Sequence, residues 1–398
     1  GKFLSQKGDE VTVIAPGEDL RTQGHIPEVR GKWHADSIIS GVRGVRPRCL
    51  ENFRRSIYHR LLFEVLFSVG AIGLSSRSAA RPDVIVAAYP PAVLPGIALM
   101  IARLRGIPYI FEVRDLMADA LVASQYSRNK MFNRIAKAVE NMIYRKADHV
   151  ITVSDGIKKA ILRAGIPESK ITPVKNGYEP QIFKNPDRSI NPRKDFGWGD
   201  RFVVIYAGGL TQSYDIPTLL KAAELTRDDR EILYAVIGDG EKKQHYLEYC
   251  GQKGLRNVQF YKPRPRKMMP HILAAADVGV HLFPDDPLWD YVLGNKPFDY
   301  LGSGLPMIYS GRGDTADLVI KARAGFVVHP ERPDELAEKI IWLKSHREKA
   351  RSMGERGMEY VKTHCDRFVL LKPLDAVIQN LLQIYPAGRT GILRIRNR

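Results

Sequence analysis

The sequence predicts an α/β protein made of two doubly wound parallel-sheet domains, on three observations. Short runs rich in β-branched residues recur at 84–88, 109–113, 150–153, 202–207, 233–237, 258–261, 278–282, 307–309 and 326–328. Helical periodicity fills the intervals, as over 130–146, 216–225 and 334–344. Strands that alternate with helices pair in parallel through crossover connections. The third observation is the segment 185–200, NPDRSINPRKDFGWGD, rich in Pro, Asn, Asp and Gly and without periodicity. It reads as a linker and splits the alternation into two blocks of similar size. The expected domains are 1–185 and 186–370, followed by a closing segment 371–398. Two such domains are expected to face each other across a cleft, because doubly wound sheets hold ligands outside the carboxyl ends of their strands.

The elements follow in chain order. GKFLSQKG at the start reads as the end of a helix capped by Gly8, feeding a buried strand over 10–15. A helix placed so early is expected to follow a strand, so a first strand and its loop are expected before residue 1. Residues 53–74 carry Phe53, Ile57, Leu61, Leu62, Val65, Leu66 and Val69 at helical spacing, flanked by Arg54, Arg55 and Arg60. Such a segment is either a core helix or an amphipathic helix resting on an anionic membrane. Its longest apolar stretch, 61–74, is broken by Glu64 and is too short to span a bilayer.

Composition narrows the class. Hydrophobic residues at 44% and charged residues at 26% exclude a disordered or low-complexity chain. Lys plus Arg number 61 against 44 Asp plus Glu, a net charge of +17, which favours anionic partners: nucleic acid, acidic lipid or phosphorylated ligands. The basic residues are spread along the chain with no aromatic platform, which argues against nucleic acid. Cys49, Cys250 and Cys365 are far apart. That spacing excludes a disulfide framework and a cysteine zinc site, and fits a reducing compartment. The chain has no P-loop, no Asp-x-Asp and no His-Glu-x-x-His. No metal site is expected.

Six stretches carry candidate chemistry. Glu112, Arg114 and Asp115 crowd the end of a strand; they are a surface ion pair with a helix cap, or cleft residues. DHVITVSDG, 148–156, is a strand entering a helix capped by Ser154, and Asn176-Gly177 is a turn. Gly208 and Gly209, with Gln212 beyond them, follow the first strand of the second domain. Small residues there let a backbone approach a phosphate or sugar; the alternative is a tight turn. Gly238-Asp239-Gly240 poses the same choice. In YVLGNKPFDYLGSGLP, 291–306, Gly294, Asn295 and Lys296 open a helix with Asp299 one turn in. A lysine at a helix start suits an anion, and Asp299 suits a diol; an ordinary capped helix is the other reading.

Taken in order, ADHVITVSDGIKKAILRAGIPESKITPVKNGYEPQIF, the 206–209 turn, AAADVGVHLF and FDYLGSGLPMI resemble the retaining glycosyltransferases of family 4, which have the GT-B fold. FEVRDL and NKPFDYL are similar to the fucosaminyltransferase-like subgroup, which builds bacterial O-antigen and capsular polysaccharide. The resemblance implies a UDP-sugar donor, an N-acetylated deoxyhexosamine or hexosamine, held by the second domain. It implies a lipid-linked glycan acceptor on the first domain, and transfer with retention and no metal or other cofactor. It also implies that the last helix, 370–384, crosses back onto the first domain. The expected location is cytoplasmic, on the inner face of the plasma membrane.

The family's Glu-x7-Glu motif falls on Tyr291 and Asp299, with Gly294 matching its glycine. Asp299 is then the ribose contact, and Tyr291 stands where the family holds sugar hydroxyls with Glu. The family's Arg and Lys after the Gly-Gly turn fall on Gly209 and Tyr214. The cationic diphosphate clamp passes to Lys296, with Arg264 and Arg266 behind it. The family's active-site His falls on Arg114. Arg stays protonated and cannot be a base, but it can stabilise the leaving phosphate, oriented by Glu112 and Asp115. The alternatives are a non-catalytic GT-B scaffold for glycan assembly and a GT-B UDP-sugar epimerase.

Overall fold

The computed structural model describes residues 1–18, 24–55, 57–77, 82–90, 93–116 and 130–385. The basic tail 391–398, Pro91 and the residues after Leu116 that Asp115 was expected to cap lie outside them. The chain forms two compact units. One holds Gly1–Val153, Ile157–Val174 and Leu371–Arg398; the other holds Ser154–Gly156 and Lys175–Leu370.

In the first unit β1 (Thr12–Ile14), β2 (His34–Ile39) and β3 (Val42–Pro47) form one small sheet, in the order β1-β3-β2. The strands β4 (Ile85–Tyr89), β5 (Tyr109–Val113), β6 (His149–Thr152) and β7 (Ile171–Pro173) form a parallel sheet in sequence order. Ile110 and Ile151 on this sheet pack with Val174 and with Ile378 and Leu381 of the helix Lys372–Ile384. Asp148 strengthens that join: its carboxylate accepts the Tyr109 N–H at 2.8 Å and the Tyr385 hydroxyl at 2.9 Å.

Two expectations change here. The strand expected to be buried over 10–15 is a three-residue edge whose Val13 is 42% exposed. Among the described residues β1 pairs on one side only, with β3, so half of its surface meets water. The β2–β3 hairpin had not been foreseen. Its two-residue turn has positive φ at both positions, Ser40 at 54° and Gly41 at 79°. Such a turn matches the right-handed twist of the strands.

The second unit is a six-stranded parallel sheet of β8 (Phe202–Gly209), β9 (Ile232–Asp239), β10 (Val258–Tyr261), β11 (Val278–Leu282), β12 (Met307–Ser310) and β13 (Gly325–Val328). The order is β10-β9-β8-β11-β12-β13. Phe202, Val204 and Tyr206 feed one core and Val203 and Ile205 the other. This is the two-residue alternation of a strand covered on both faces.

The segment 185–200 is not a linker. The helix Pro192–Asp195 interrupts it, Trp198 is fully buried, and Pro192 and Phe196 are buried beside it. Trp198 donates from Nε1 to the Tyr261 hydroxyl at 3.0 Å. Arg193 ties the stretch down through the Gly199 and Arg201 carbonyls and Asp277. Its Pro and Gly mark tight turns, and its aromatic residues belong to a core.

Candidate functional site

The candidate donor residues gather at the carboxyl end of β8. The register pairs Gly208 with Gly238 and Gly209 with Asp239. A Cβ on Gly238 would lie 1.9 Å from the Gly208 carbonyl oxygen, so strand spacing alone requires glycine there. A Cβ on Gly208 would lie 2.2 Å from Cε of Lys296 and 2.6 Å from its Nζ. Glycine at 208 makes room for the lysine.

Lys296 is the first residue of the helix Lys296–Gly302. Its ammonium donates to the Tyr206 hydroxyl at 3.3 Å, and that hydroxyl donates to the Gly209 carbonyl at 2.7 Å. The same ammonium lies 3.3 Å from the centre of the Tyr214 ring and 5.0 Å from that of Tyr206. Among the described residues no carboxylate pairs with it, and burial holds its pKa well below the ordinary lysine range. The cation therefore arrives beside Gly209 and Tyr214, the positions where the resemblance expected an Arg and a Lys.

Asp299, one turn along the same helix, faces Arg266 at 3.4 Å. Arg266 also reaches Glu179 at 3.4 Å. Burial pushes the Asp299 carboxyl up to about 6, and the guanidinium opposes that rise. Asn295 Oδ1 is buried without a hydrogen-bond partner among the described residues.

Each remaining candidate has its own surroundings. Gln212 is exposed, with its backbone N–H 3.4 Å from Glu241. Arg264 is exposed and lies over the Phe196 ring at 5.2 Å. Tyr291 packs against Gly156, and its carbonyl accepts from Ser154 Oγ at 2.6 Å. Gly294 has no atom within 4 Å of its Cβ direction, and the neighbouring Leu293 carbonyl accepts from Asn176 at 2.9 Å. In the first unit Glu112 lies in β5, and Arg114 and Asp115 are exposed just past it. Arg114 N–H donates to the Tyr89 carbonyl at 2.9 Å.

Sequence reasoning missed His281, on β11. It is 1% exposed, and neither ring nitrogen has a partner among the described residues. Its ring centre lies 4.7 Å from that of Phe283, 5.6 Å from Tyr309 and 6.0 Å from Tyr214. Burial drives its pKa well below the ordinary histidine value, with Lys296 adding to the effect, so the ring is neutral. The aromatic rings at Lys296 were missed as well, because Tyr206 comes from β8 and Tyr214 from the loop that follows it, far from Lys296 in the chain.

Two outcomes follow from this packing. Gly208→Ala displaces only the flexible end of Lys296. We expect it to weaken nucleotide binding while shifting unfolding by under about 1 kcal/mol. Gly238→Ala meets backbone and is expected to cost about 1–3 kcal/mol or more; parallel denaturation and nucleotide titrations separate the two. Asp299 sets a pH response. As pH falls through about 6 its carboxylate gains a proton and loses an acceptor for a diol. Arg266→Ala removes the opposing cation, so the carboxyl should titrate at a higher pH, read by carbon NMR of the side chain.

Comparison with known proteins agrees with this architecture. Residues 3–177 match the glycosyl transferase 4-like domain, and residues 189–360 match the glycosyl transferases group 1 domain. Spore coat protein SA of Bacillus subtilis (strain 168) is 25% identical over 301 residues, 71% of this chain and 76% of that protein. Anabaena Alr3699/HepE, crystallised in complex with UDP, superposes with a TM-score of 0.65 at 17% identity, covering 82% of this chain and 84% of that one. WaaG, a glycosyltransferase involved in lipopolysaccharide biosynthesis, superposes with a TM-score of 0.66 at 14% identity, covering 97% and 95%. The fold is that of the GT-B glycosyltransferases. With a glycosyl transferase 4-like domain in its first half and a glycosyl transferases group 1 domain in its second, the chain is a glycosyltransferase of that two-domain type.

Proposed function

We propose that this glycosyltransferase moves a sugar, an N-acetylated deoxyhexosamine or hexosamine, from a UDP-sugar onto a lipid-linked glycan. The product is a bacterial surface polysaccharide, and the anomeric configuration is retained. The observation that carries the reading is the placement of Lys296. The Lys296 amine, with no carboxylate partner among the described residues, lies against Gly208 at the carboxyl end of β8, and Asp299 follows it on the same helix. The lysine suits a diphosphate and the carboxylate suits the ribose hydroxyls. The UDP held by Anabaena HepE and the lipopolysaccharide role of WaaG support the nucleotide and the product class.

In this reading the acceptor hydroxyl oxygen bonds to the anomeric carbon as the bond from that carbon to the diphosphate breaks, on the same face. The electron pair leaves with the diphosphate, which takes up the hydroxyl proton. Lys296 stabilises the growing negative charge, and no metal is invoked. Arg114 stays protonated and is assigned to a phosphate of the donor or acceptor, with Glu112 and Asp115 orienting it. Calorimetric titration with UDP, GDP and ADP tests the donor assignment. Selective UDP binding supports it, and equal or absent binding of all three by folded protein removes it.

The acceptor class brings the protein to the inner face of the plasma membrane. Among the described residues no helix is long and apolar enough to cross a membrane. The helix Ile57–Arg77 buries Phe63, Phe67 and Ala71 and exposes Tyr58, Leu62, Val65, Leu66 and Val69. Arg60 lies 3.6 Å from Glu64, whose other oxygen accepts the Val93 N–H at 3.1 Å. The segment thus has both a core face and an exposed apolar face, and we assign the second to the membrane interface. Flotation with anionic liposomes at low salt checks this; protein that stays at the bottom refutes it.

A further inference from the structure

His281 is a polar side chain in an apolar strand. It lies between Val280 and Leu282 in β11, is 1% exposed, and neither ring nitrogen has a partner among the described residues. A neutral imidazole carries one N–H donor and one acceptor nitrogen. Enclosing both without partners is costly, whereas a leucine would fill much the same space without that cost. Packing alone therefore gives no reason for a histidine at this position.

The rings around it differ in how firmly they are held. Phe283 and Tyr309 are buried on the sheet, the first just past β11 and the second in β12. Tyr214 is half-buried and comes from the loop between β8 and the helix Ile216–Leu225. That loop is anchored at both ends. Leu210 is buried, and its N–H donates to the Asp239 carbonyl at 2.9 Å; Asp215 caps the helix by accepting the Thr218 N–H at 3.2 Å. Between these anchors Gln212 and Ser213 are exposed. The N–H groups of Gln212, Ser213 and Tyr214 make long bonds there, of 3.4, 3.3 and 3.3 Å. The Tyr214 ring centre also lies 3.3 Å from the Lys296 amine. One loop residue thus stands against both the lysine and the histidine.

A ring face is a modest partner for a cation, and a diphosphate oxygen is a stronger one for a cation and for an N–H alike. We propose that the diphosphate takes the place of the Tyr214 ring. The ring covers both groups in the free protein, the entering ligand displaces it, and the Lys296 amine and the His281 N–H then donate to diphosphate oxygens. Tyr214 is a cap in this arrangement, and His281 is a second ligand of the leaving group. His281 joins the site only if Lys296 is the diphosphate ligand proposed above. The loop between its two anchors is the part of the enclosure that can move, because Phe283 and Tyr309 are fixed by the sheet.

The test titrates the full chain with UDP, inorganic pyrophosphate and uridine by calorimetry, with denaturant unfolding of each variant alongside. His281→Leu should weaken UDP and pyrophosphate about tenfold or more, the value of a hydrogen bond to a charged group, and leave uridine unchanged. Its unfolding midpoint should stay level or rise, because two unpartnered nitrogens are gone. Tyr214→Ala, checked for folding by circular dichroism, should bind pyrophosphate more tightly than wild type, because a cap lowers apparent affinity by the fraction of time it is closed. Where that variant does not fold, His281→Leu carries the test. A His281→Leu protein that loses stability and keeps its affinity makes the histidine a core filler and overturns the proposal. Weaker pyrophosphate binding by folded Tyr214→Ala makes the ring part of the ligand's site and overturns the cap. Wild-type binding of UDP that both variants leave unchanged overturns this proposal while the donor reading stands. Wild-type protein that binds neither UDP nor pyrophosphate removes both.

Discussion

Lys296→Ala should lower affinity for UDP by about 10- to 100-fold, with the unfolding transition nearly unchanged. The estimate follows from the net value of a hydrogen bond to a charged group, about 1.5–3 kcal/mol. The lysine suits this role because its amine is held, among the described residues, without a carboxylate partner. Its neighbours are the Tyr206 and Tyr214 rings, the Tyr206 hydroxyl and neutral His281. Burial disfavours its charged form in the free protein, and an entering diphosphate favours that form. Binding should therefore take up a proton, and affinity should rise as pH falls toward neutrality. Below about 6 the protonation of Asp299 reverses the trend, so affinity should pass through a maximum. Calorimetry in buffers of different ionisation enthalpy measures the proton uptake. Wild-type uptake that persists in Lys296→Ala would place it on another group.

Trp198→Ala should destabilise the second unit by about 3–5 kcal/mol, the usual cost of truncating a fully buried aromatic. The side chain is completely enclosed, packs 5.3 Å from the Phe196 ring centre, and leaves the Tyr261 hydroxyl without its donor when removed. Arg188→Ala, at an exposed position of the same segment, should fall within about 0.5 kcal/mol. Denaturant titration followed by circular dichroism reads both. A loop joining two domains would show the small effect at both positions.

The alternation of β-branched runs with helical periods set every strand of the six-stranded sheet and three of the four strands of the other, missing β7, and the helices Lys130–Lys146 and Ile216–Leu225 lie at their expected bounds. This worked because strands buried on both faces must be apolar throughout, whatever surrounds them. Lys296 and Asp299 were readable because they sit one helical turn apart in a single motif. The order β10-β9-β8-β11-β12-β13 follows from the crossovers, and no local pattern states it. Trp198 was misread because Pro, Asn and Gly announce turns without saying whether those turns lie in water or against a core. His281 looked like one residue of a strand until the fold enclosed it with Phe283, Tyr309 and Tyr214. The sequence by itself determined most strands of the two larger sheets and the helices between them, and placed Lys296 and Asp299 in one motif. Only the tertiary structure decided that Lys296 meets Gly208, and which apolar faces stay in water. Those are contacts between residues far apart in the chain, and burial, desolvation and unpaired charge arise only when packing brings them together.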